Sequence, residues 1–369
     1  MPKVSVIMPV FNSEIYIEEA IHSILNQSFQ DFEFIIVDDC STDQSRHKIE
    51  KIAKLHPNKI VFIPHESNRG AAAARNTAIA YSHSDILVFA DSDDIQHPKR
   101  LELSYKEYLK RNVDMVFHDC QMIDPEGKDL NKSKGYPGDL SNENVLWHLL
   151  QRNHFWMSLS LVKKTKEVRF DENLINAEDY DLFLRLILKE YSFSILDETL
   201  TKYRLHPNNI SKDIESAKQS IKKVLGKVNL LQLLPLLKQK HGETDAMIAI
   251  ACAYMWLEEM ENAIDCLKRL PFSFDGYFPL GVAYYKQKEY ESSMKIFQAL
   301  FENREDPAVA NNIGCLTALT ENYSMARKWF QKAVDLRPDF VDANYNLSRL
   351  TEGELRITER PLRDKSVHT

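Results

Sequence analysis

Short apolar runs alternate with helical patterns over residues 3–120, and this alternation restricts the fold more than any other feature of the chain. Residues 4–9, 32–37, 60–64, 86–90 and 115–117 read as strands, several of them apolar on both faces. A strand that is apolar on both faces belongs in a sheet covered by helices on each side. Residues 14–26, 43–56, 71–81 and 98–111 read as the intervening helices. Ser41-Thr42-Asp43 offers capping chemistry, and Pro98 suits a first helical turn. Strand-helix alternation predicts an α/β domain with a mostly parallel central sheet.

The pattern loosens between 121 and 212. Residues 124–139 carry Pro125, Gly127, Gly135, Pro137 and Gly138 and read as a loop. A helix at 143–152, a strand near 159–162, a helix at 177–190 and a strand at 191–196 follow. After residue 211 no strand is expected. Gly281, Tyr290 and Phe297 recur as Gly314, Tyr323 and Phe330, an offset of 33 residues. Asn346-Leu347-Ser348 stands 34 residues after Asn312-Ile313-Gly314, and Ala251, Met260 and Leu267 form an earlier copy at an offset of 30. Each copy reads as two helices, with the small residue admitting the aromatic of its partner. The period resembles the tetratricopeptide repeat; an irregular helical bundle is the alternative. The expected organisation is 1–212 for the α/β domain, 213–244 for a helical linker, 245–352 for the repeats and 353–369 for a disordered tail. Residues 215–241 hold six lysines and paired leucines. They read as a linker helix interrupted at Pro235, or as a basic amphipathic face resting on an anionic membrane.

Net charge is -7, without the basic balance of a general nucleic-acid binder, so no nucleic-acid partner is expected. The five cysteines form no CxxC pair, which points to reduced thiols in a cytoplasmic protein. No signal peptide is expected, and no run of about 18 apolar residues suggests a membrane span.

Acidic clusters follow two of the expected strands: Asp38-Asp39 after residues 32–37, and Asp91-Ser92-Asp93-Asp94 after residues 86–90. Ligands of open α/β sheets collect beyond the carboxyl ends of the strands. Like charges gathered there are costly unless a cation or donors face them. Oxygen ligands favour Mg²⁺ or Mn²⁺ over zinc, and such an ion can neutralise a leaving diphosphate. Alone, an Asp-x-Asp is a weak motif that reads as a capped turn before the helix at Pro98.

These pieces, with Pro9-Val10-Phe11-Asn12, Asn68-Arg69-Gly70, Ala74-Arg75-Asn76, Glu178-Asp179-Tyr180-Asp181-Leu182, Arg185 and Tyr203-Arg204-Leu205-His206, occur in the order seen in family 2 glycosyltransferases. Residues 4–206 strongly resemble that family, which has the GT-A (nucleotide-diphospho-sugar transferase) fold. The resemblance implies that Pro9, Val10, Phe11, Asp38 and Asp39 contact the nucleotide, with Asp39 able to accept from a uracil ring NH. Asp91 and Ser92 then face the sugar-nucleotide, and Arg75 lies on the nucleotide side or forms a structural ion pair. Asp93 binds the metal, His206 stands near the metal or diphosphate, and Asp94 is a supporting group or helix cap. Asp179 is the candidate general base with Glu178 orienting it, against a plain preference of acids for a helix N-terminus. Trp156 and Met157 stand where the family forms an acceptor wall, or in the core. Cys40 departs from the family, which has Gly there.

The activity implied is inverting, metal-dependent transfer from a nucleotide-sugar, UDP-linked by preference, to a glycan or lipid-linked acceptor in surface polysaccharide synthesis. Alternatives are a protein or peptide acceptor held by the repeats, an inactive scaffold, and a nucleotidyltransferase. The repeats are expected to recruit a protein partner, and residues 215–241 could place the chain peripherally at the inner face of the cell membrane.

Overall fold

The first four strands, β1 (Val4–Val10), β2 (Phe32–Asp38), β3 (Ile60–Pro64) and β4 (Ile86–Phe89), pair in parallel in the order β3-β2-β1-β4 in the computed structural model. Residues 1–207, 209, 213–350 and 354–359 are described. The chain divides into two compact units, residues 1–224 and 225–369.

Val6, Met8, Phe34, Ile36 and Val88 from these strands pack with Ile17, Ile21 and Ile24 of α1 (Ile17–Leu25) and Ile49 and Ile52 of α2 (Ser45–Leu55). Burial of such side chains contributes about 1.5–3 kcal/mol each. Helices α3 (Ala71–Tyr81) and α4 (Arg100–Arg111) complete the alternation, and α5 (Val145–Gln151) follows within the helix expected over 143–152. Because β1, β2 and β4 run parallel, Val10, Asp38 and Ala90 leave the sheet at one edge. Val10 lies directly opposite Asp38, and the Ala90 amide donates to the Ile7 carbonyl.

Beyond β4 the sheet is mixed. The full order is β3-β2-β1-β4-β8-β6-β9-β5, with β5 (Ile95–Gln96), β6 (Met115–Ile123), β8 (Ser160–Lys163) and β9 (Phe193–Arg204). Strand β8 is antiparallel to both neighbours, while β6 and β9 run parallel. Strands β6 and β9 extend well past the apolar runs that announce them, through register shifts at His118–Cys120. The expected loop at 124–139 also contains β7 (Asp129–Ser133), an exposed strand paired with β6. All five of its residues are exposed, so no hydrophobic alternation marks it. Phe117, Phe155, Phe183 and Phe193 fill this half of the core, with Phe117 stacked on Phe155 at 4.1 Å and α6 (Glu178–Leu188) supplying Phe183.

After α7 (Ile214–Gly226) comes α8 (Leu230–Trp256), which runs through Pro235 and breaks instead at Gly242, where φ is 81°. A left-handed φ is open to glycine at no steric cost, which places the break there. The leucine pairs divide: Leu230 and Leu237 are buried, and Leu231 and Leu236 are exposed. No helix among the described residues is long and apolar enough to cross a membrane.

Helix pairs α10 (Phe274–Lys286) with α11 (Tyr290–Asn303), and α12 (Pro307–Ala318) with α13 (Tyr323–Leu336), carry the 33-residue repeat, followed by α14 (Val341–Arg349). The earlier copy places Met260 and Leu267 on α9 (Met260–Leu267). A Cβ on Gly281 would stand 2.8 Å from the Phe297 ring, and one on Gly314 would stand 2.5 Å from Phe330. The recurring glycine therefore exists to admit the recurring phenylalanine. Residues 354–359, expected within the disordered tail, instead bond to α12 and α14; Arg356 and Thr358 pair there with asparagine side chains. The rest of that expected tail lies outside the described residues.

Two substitutions test these backbone readings. Ala is normally better than Gly inside a helix by about 1 kcal/mol. The ring contact reverses this at Gly314, so Gly314→Ala destabilises the unit by about 1–3 kcal/mol, seen as a lower denaturation midpoint. Cys40 holds a left-handed φ of 61°. Cys40→Gly relieves roughly 1–2 kcal/mol of strain and returns about half as unfolded-chain entropy, so it raises the midpoint.

Candidate active site

Arg75, the fifth residue of α3, is 6% exposed, and it ties three distant parts of the chain together. Its Nη1 donates to Glu178 Oε1 at 2.6 Å, its Nη2 to Asp91 Oδ1 at 3.3 Å, and its guanidinium lies 5.5 Å from the Phe170 ring centre. Burial works to lower the Arg75 pKa, but Glu178 and Asp91 outweigh it and hold the pKa above its ordinary value. Asn76 secures the same approach: its side-chain amide both donates to and accepts from the main chain of Phe170, at 2.9 Å each way. Ala177, just before α6, sits at φ 62°, a costly left-handed turn for a non-glycine residue. That turn precedes Glu178 and Asp179. Burial, and then the adjacent Glu178 carboxylate, push Asp179 up to about 7, with Arg75 and the Tyr180 amide opposing them.

The segment after β4 is held by β9. Asp94 is fully buried, and its Oδ1 accepts from the Arg204 amide at 3.0 Å. It braces one loop against another strand and caps no helix, since α4 starts at Arg100 without a side-chain cap. The Arg204 guanidinium donates to the Asp93 carbonyl at 3.0 Å and to Glu19 Oε2 at 2.6 Å, and it lies over Tyr16. His206 Nε2 then meets Asp93 Oδ2 at 2.9 Å. Burial, then Asp93 and Asp91, raise Asp94 well above the usual carboxylate range. Asp91 is raised by burial and by Asp93 despite Arg75, and the Ser158 hydroxyl also bonds it.

A second wall comes from the loops after β1 and β2. Ser92 Oγ lies 2.6 Å from Ser13 Oγ, and Asn12 exchanges bonds with Ser41 and Thr42. Asp38 is buried, ion-paired to Arg46 at 3.2 Å, and its Oδ1 has no hydrogen-bond partner. The Asp39 carboxylate accepts from the Arg69 and Gly70 amides, with Gly70 at 2.6 Å, and from His65 Nδ1 at 2.7 Å. Asp39 therefore seats the start of α3. Arg75 lies about 7.5 Å along the same helix from Gly70, so Asp39, Asp91, Glu178 and Asp179 surround one short stretch of α3. Phe11 is 48% exposed at the rim, and Pro9 is partly buried. Val10 does not line the cleft with its side chain: it is in the core, because β1 is covered on both faces.

Met157 is likewise buried, with its carbonyl accepting from Ser160, so its side chain forms no acceptor wall. Trp156 remains partly exposed and packs on Tyr203 with ring centres 5.0 Å apart. Sequence reasoning missed His65, Arg204 as a brace, Ser13 and Ser158. Only Arg204 carried a signal, as a cation beside His206 in the segment already noted.

Among the described residues no three His, Cys, Asp or Glu side chains converge as a closed metal cage. Asp93 and His206 with Asp91 nearby are a partial donor set. The carboxylates of this set are ligands of the kind that Mg²⁺ or Mn²⁺ takes, with phosphate and water completing the shell.

Residues 5–191 match Glycosyl transferase family 2, and residues 308–340 match a tetratricopeptide repeat. An uncharacterized glycosyltransferase of Methanocaldococcus jannaschii is 36% identical over 213 residues, covering 56% of this chain and 72% of the relative. A putative teichuronic acid biosynthesis glycosyltransferase of Bacillus subtilis is 32% identical over 57% of this chain and 82% of the relative. The Escherichia coli UDP-Glc:alpha-D-GlcNAc-diphosphoundecaprenol beta-1,3-glucosyltransferase is 30% identical over 56% and 79%. In fold, the chain is similar to S. aureus TarS 1-349 in complex with UDP-GlcNAc, with a TM-score of 0.52, 18% identity and 98% of each chain covered. An α/β sheet with acids at one edge, a family match over half the residues and a close relative covered over most of its length lead to one assignment: the chain belongs to glycosyl transferase family 2.

Proposed function

We propose that this chain transfers a sugar, with inversion and with a divalent cation, from a UDP-sugar to a hydroxyl of a glycan or lipid-linked acceptor in surface polysaccharide synthesis. The observation that carries this reading is the Arg75 bridge, which sets the acids after β4 beside the start of α6. The uridine and lipid-linked preferences rest on the E. coli relative, whose name states a UDP-linked donor and a diphosphoundecaprenol acceptor.

In this reading Phe11 packs on the nucleotide, while Asp38 and Asp39 shape its recess. Asp91 and Ser92 orient the donor sugar. Asp93 and His206 would hold Mn²⁺ or Mg²⁺, which when bound would supply charge neutralisation for the diphosphate leaving group. Asp179 accepts the proton of the acceptor hydroxyl as that oxygen forms its bond to the anomeric carbon, while the carbon-oxygen bond to the diphosphate breaks on the opposite face. Glu178 stays anchored to Arg75 and presents the base. A base with a pKa of about 7 suits this task, since it is both available and basic at neutral pH. Trp156 offers an aromatic face to the acceptor. Exposed Leu231 and Leu236 beside the lysines of 215–241 support a peripheral contact with an anionic surface. The five cysteines form no CxxC pair, which supports a cytoplasmic setting.

Two experiments test the assignment. For the unaltered chain, kcat/KM with UDP-sugar rises with pH and levels off above about 7, because Asp179 acts deprotonated and its carboxyl holds its proton below that range. Asp179→Asn lowers kcat by about 10²–10⁴-fold with donor affinity retained in calorimetry; a flat profile together with an active Asn variant defeats the base role. Separately, Mn²⁺ raises the melting midpoint in the presence of UDP-sugar. Asp93→Ala removes both that rise and Mn²⁺-dependent donor hydrolysis, whereas an inactive scaffold shows no hydrolysis at the outset.

A further inference from the structure

His65, the residue that follows β3, has all four of its polar groups engaged around the loop after β2. Its amide donates to the Asp38 carbonyl at 2.8 Å, and its carbonyl accepts from Arg46 Nη2 at 3.2 Å. Its ring Nδ1 meets Asp39 Oδ1 at 2.7 Å, and Nε2 meets the Thr77 hydroxyl of α3 at 2.9 Å. Asp39 takes N–H donors from its other partners, so Nδ1 donates to it as well. A hydroxyl both donates and accepts, so Thr77 satisfies Nε2 in either role. Turning the ring over would put carbons where both nitrogens stand and lose both bonds. Asp39 is 2% and His65 7% exposed, which leaves little water to replace a lost bond.

The main chain of Asp39 is fixed as firmly. Its amide donates to the Val10 carbonyl at 2.8 Å, and its carbonyl accepts from Asn68 Nδ2 at 3.2 Å. The bond to Val10 sets Asp39 beside Phe11, the ring at the rim of the cleft. Its carboxylate receives the Arg69 and Gly70 amides together with His65. Two carboxylate oxygens offer about four acceptor positions, so these three donors leave room for one more. A ligand group that fills it must donate. Uracil carries an N–H on the ring nitrogen between its two carbonyls. Cytosine has a lone pair on the same atom, which would face another lone pair. A site built to accept from a ligand N–H discriminates strongly against the analogue that lacks it.

Resting on the donor reading above, in which Asp39 shapes the nucleotide recess, we propose that His65 is a positioning residue for nucleobase choice. The Arg69 and Gly70 amides belong to one loop and hold the carboxylate from one side. His65 arrives from the end of β3 and stops the carboxylate from pivoting about that pair. Thr77 keeps the imidazole in the plane where it can do so. The open acceptor position is thereby aimed at a ring N–H, and the recess selects uridine over cytidine.

The test measures binding of UDP and of CDP to the full chain by calorimetry. The unaltered chain binds UDP at least about tenfold more tightly than CDP. His65→Asn keeps an N–H in the place of Nδ1 and retains most of that ratio. His65→Gln carries its amide toward Thr77, leaves Asp39 without the donor and brings the ratio close to unity. Packing alone would rank these two the other way, since glutamine is nearer to histidine in size. Thr77→Val lowers the ratio by about threefold, and Thr77→Ser keeps it. Equal binding of UDP and CDP by the unaltered chain overturns the uridine reading and the His65 role with it. A UDP preference that survives His65→Gln, or that falls equally in the Asn and Gln variants, overturns the His65 role while the uridine reading stands. Melting midpoints without nucleotide identify any variant that fails to fold. Should one at position 65 do so, the Thr77 pair decides, and an unchanged ratio in Thr77→Val overturns the proposal.

Discussion

A buried guanidinium shared by two carboxylates from distant parts of the chain is the contact on which the catalytic unit depends. Arg75 meets Asp91 after β4 and Glu178 at the start of α6, which lies 103 residues further along. In a desolvated setting such charges are costly alone and hold firmly when paired. The bridge therefore fixes where α6 begins relative to the sheet edge. Asp179, the next residue, inherits that position, together with the burial and the neighbouring negative charge that raise its pKa.

Helix α3 organises the rest of the cleft. Asp39 receives the amides at its start, Arg75 leaves its second turn, and Asn76 grips the main chain of Phe170. One helix thus links the loop after β2, the loop after β4 and the segment entering α6. On the far side Arg204 performs the corresponding service by bracing the Asp93 carbonyl and the Asp94 carboxylate from β9. The acids are consequently placed by strands and a helix rather than by free loops, which suits a site that must hold charge in fixed geometry.

The repeat unit solves a different packing problem. Gly281 and Gly314 remove side chains so that Phe297 and Phe330 can fill the space between paired helices. Helices α12 and α14 also carry Asn311, Asn312 and Asn346, whose buried amides hold residues 354–359.

Much of this was legible in the residues alone. The two periodicities, the acid pairs after strand-like runs and the 33-residue recurrence are local patterns, and local patterns report backbone conformation and burial directly. They located the sheet edge, the candidate acids and the glycine-aromatic pairs. Tertiary structure decided what depended on long-range pairing. Val10 and Met157 became core because neighbouring elements cover them. Strand β7 formed without any apolar signal because β6 supplies its hydrogen bonds. Residues 354–359 are ordered by amides on helices that precede them in sequence. Whether Arg75 served the nucleotide or an ion pair was likewise open until the fold brought Glu178 to it, since no spacing rule connects two charges a hundred residues apart.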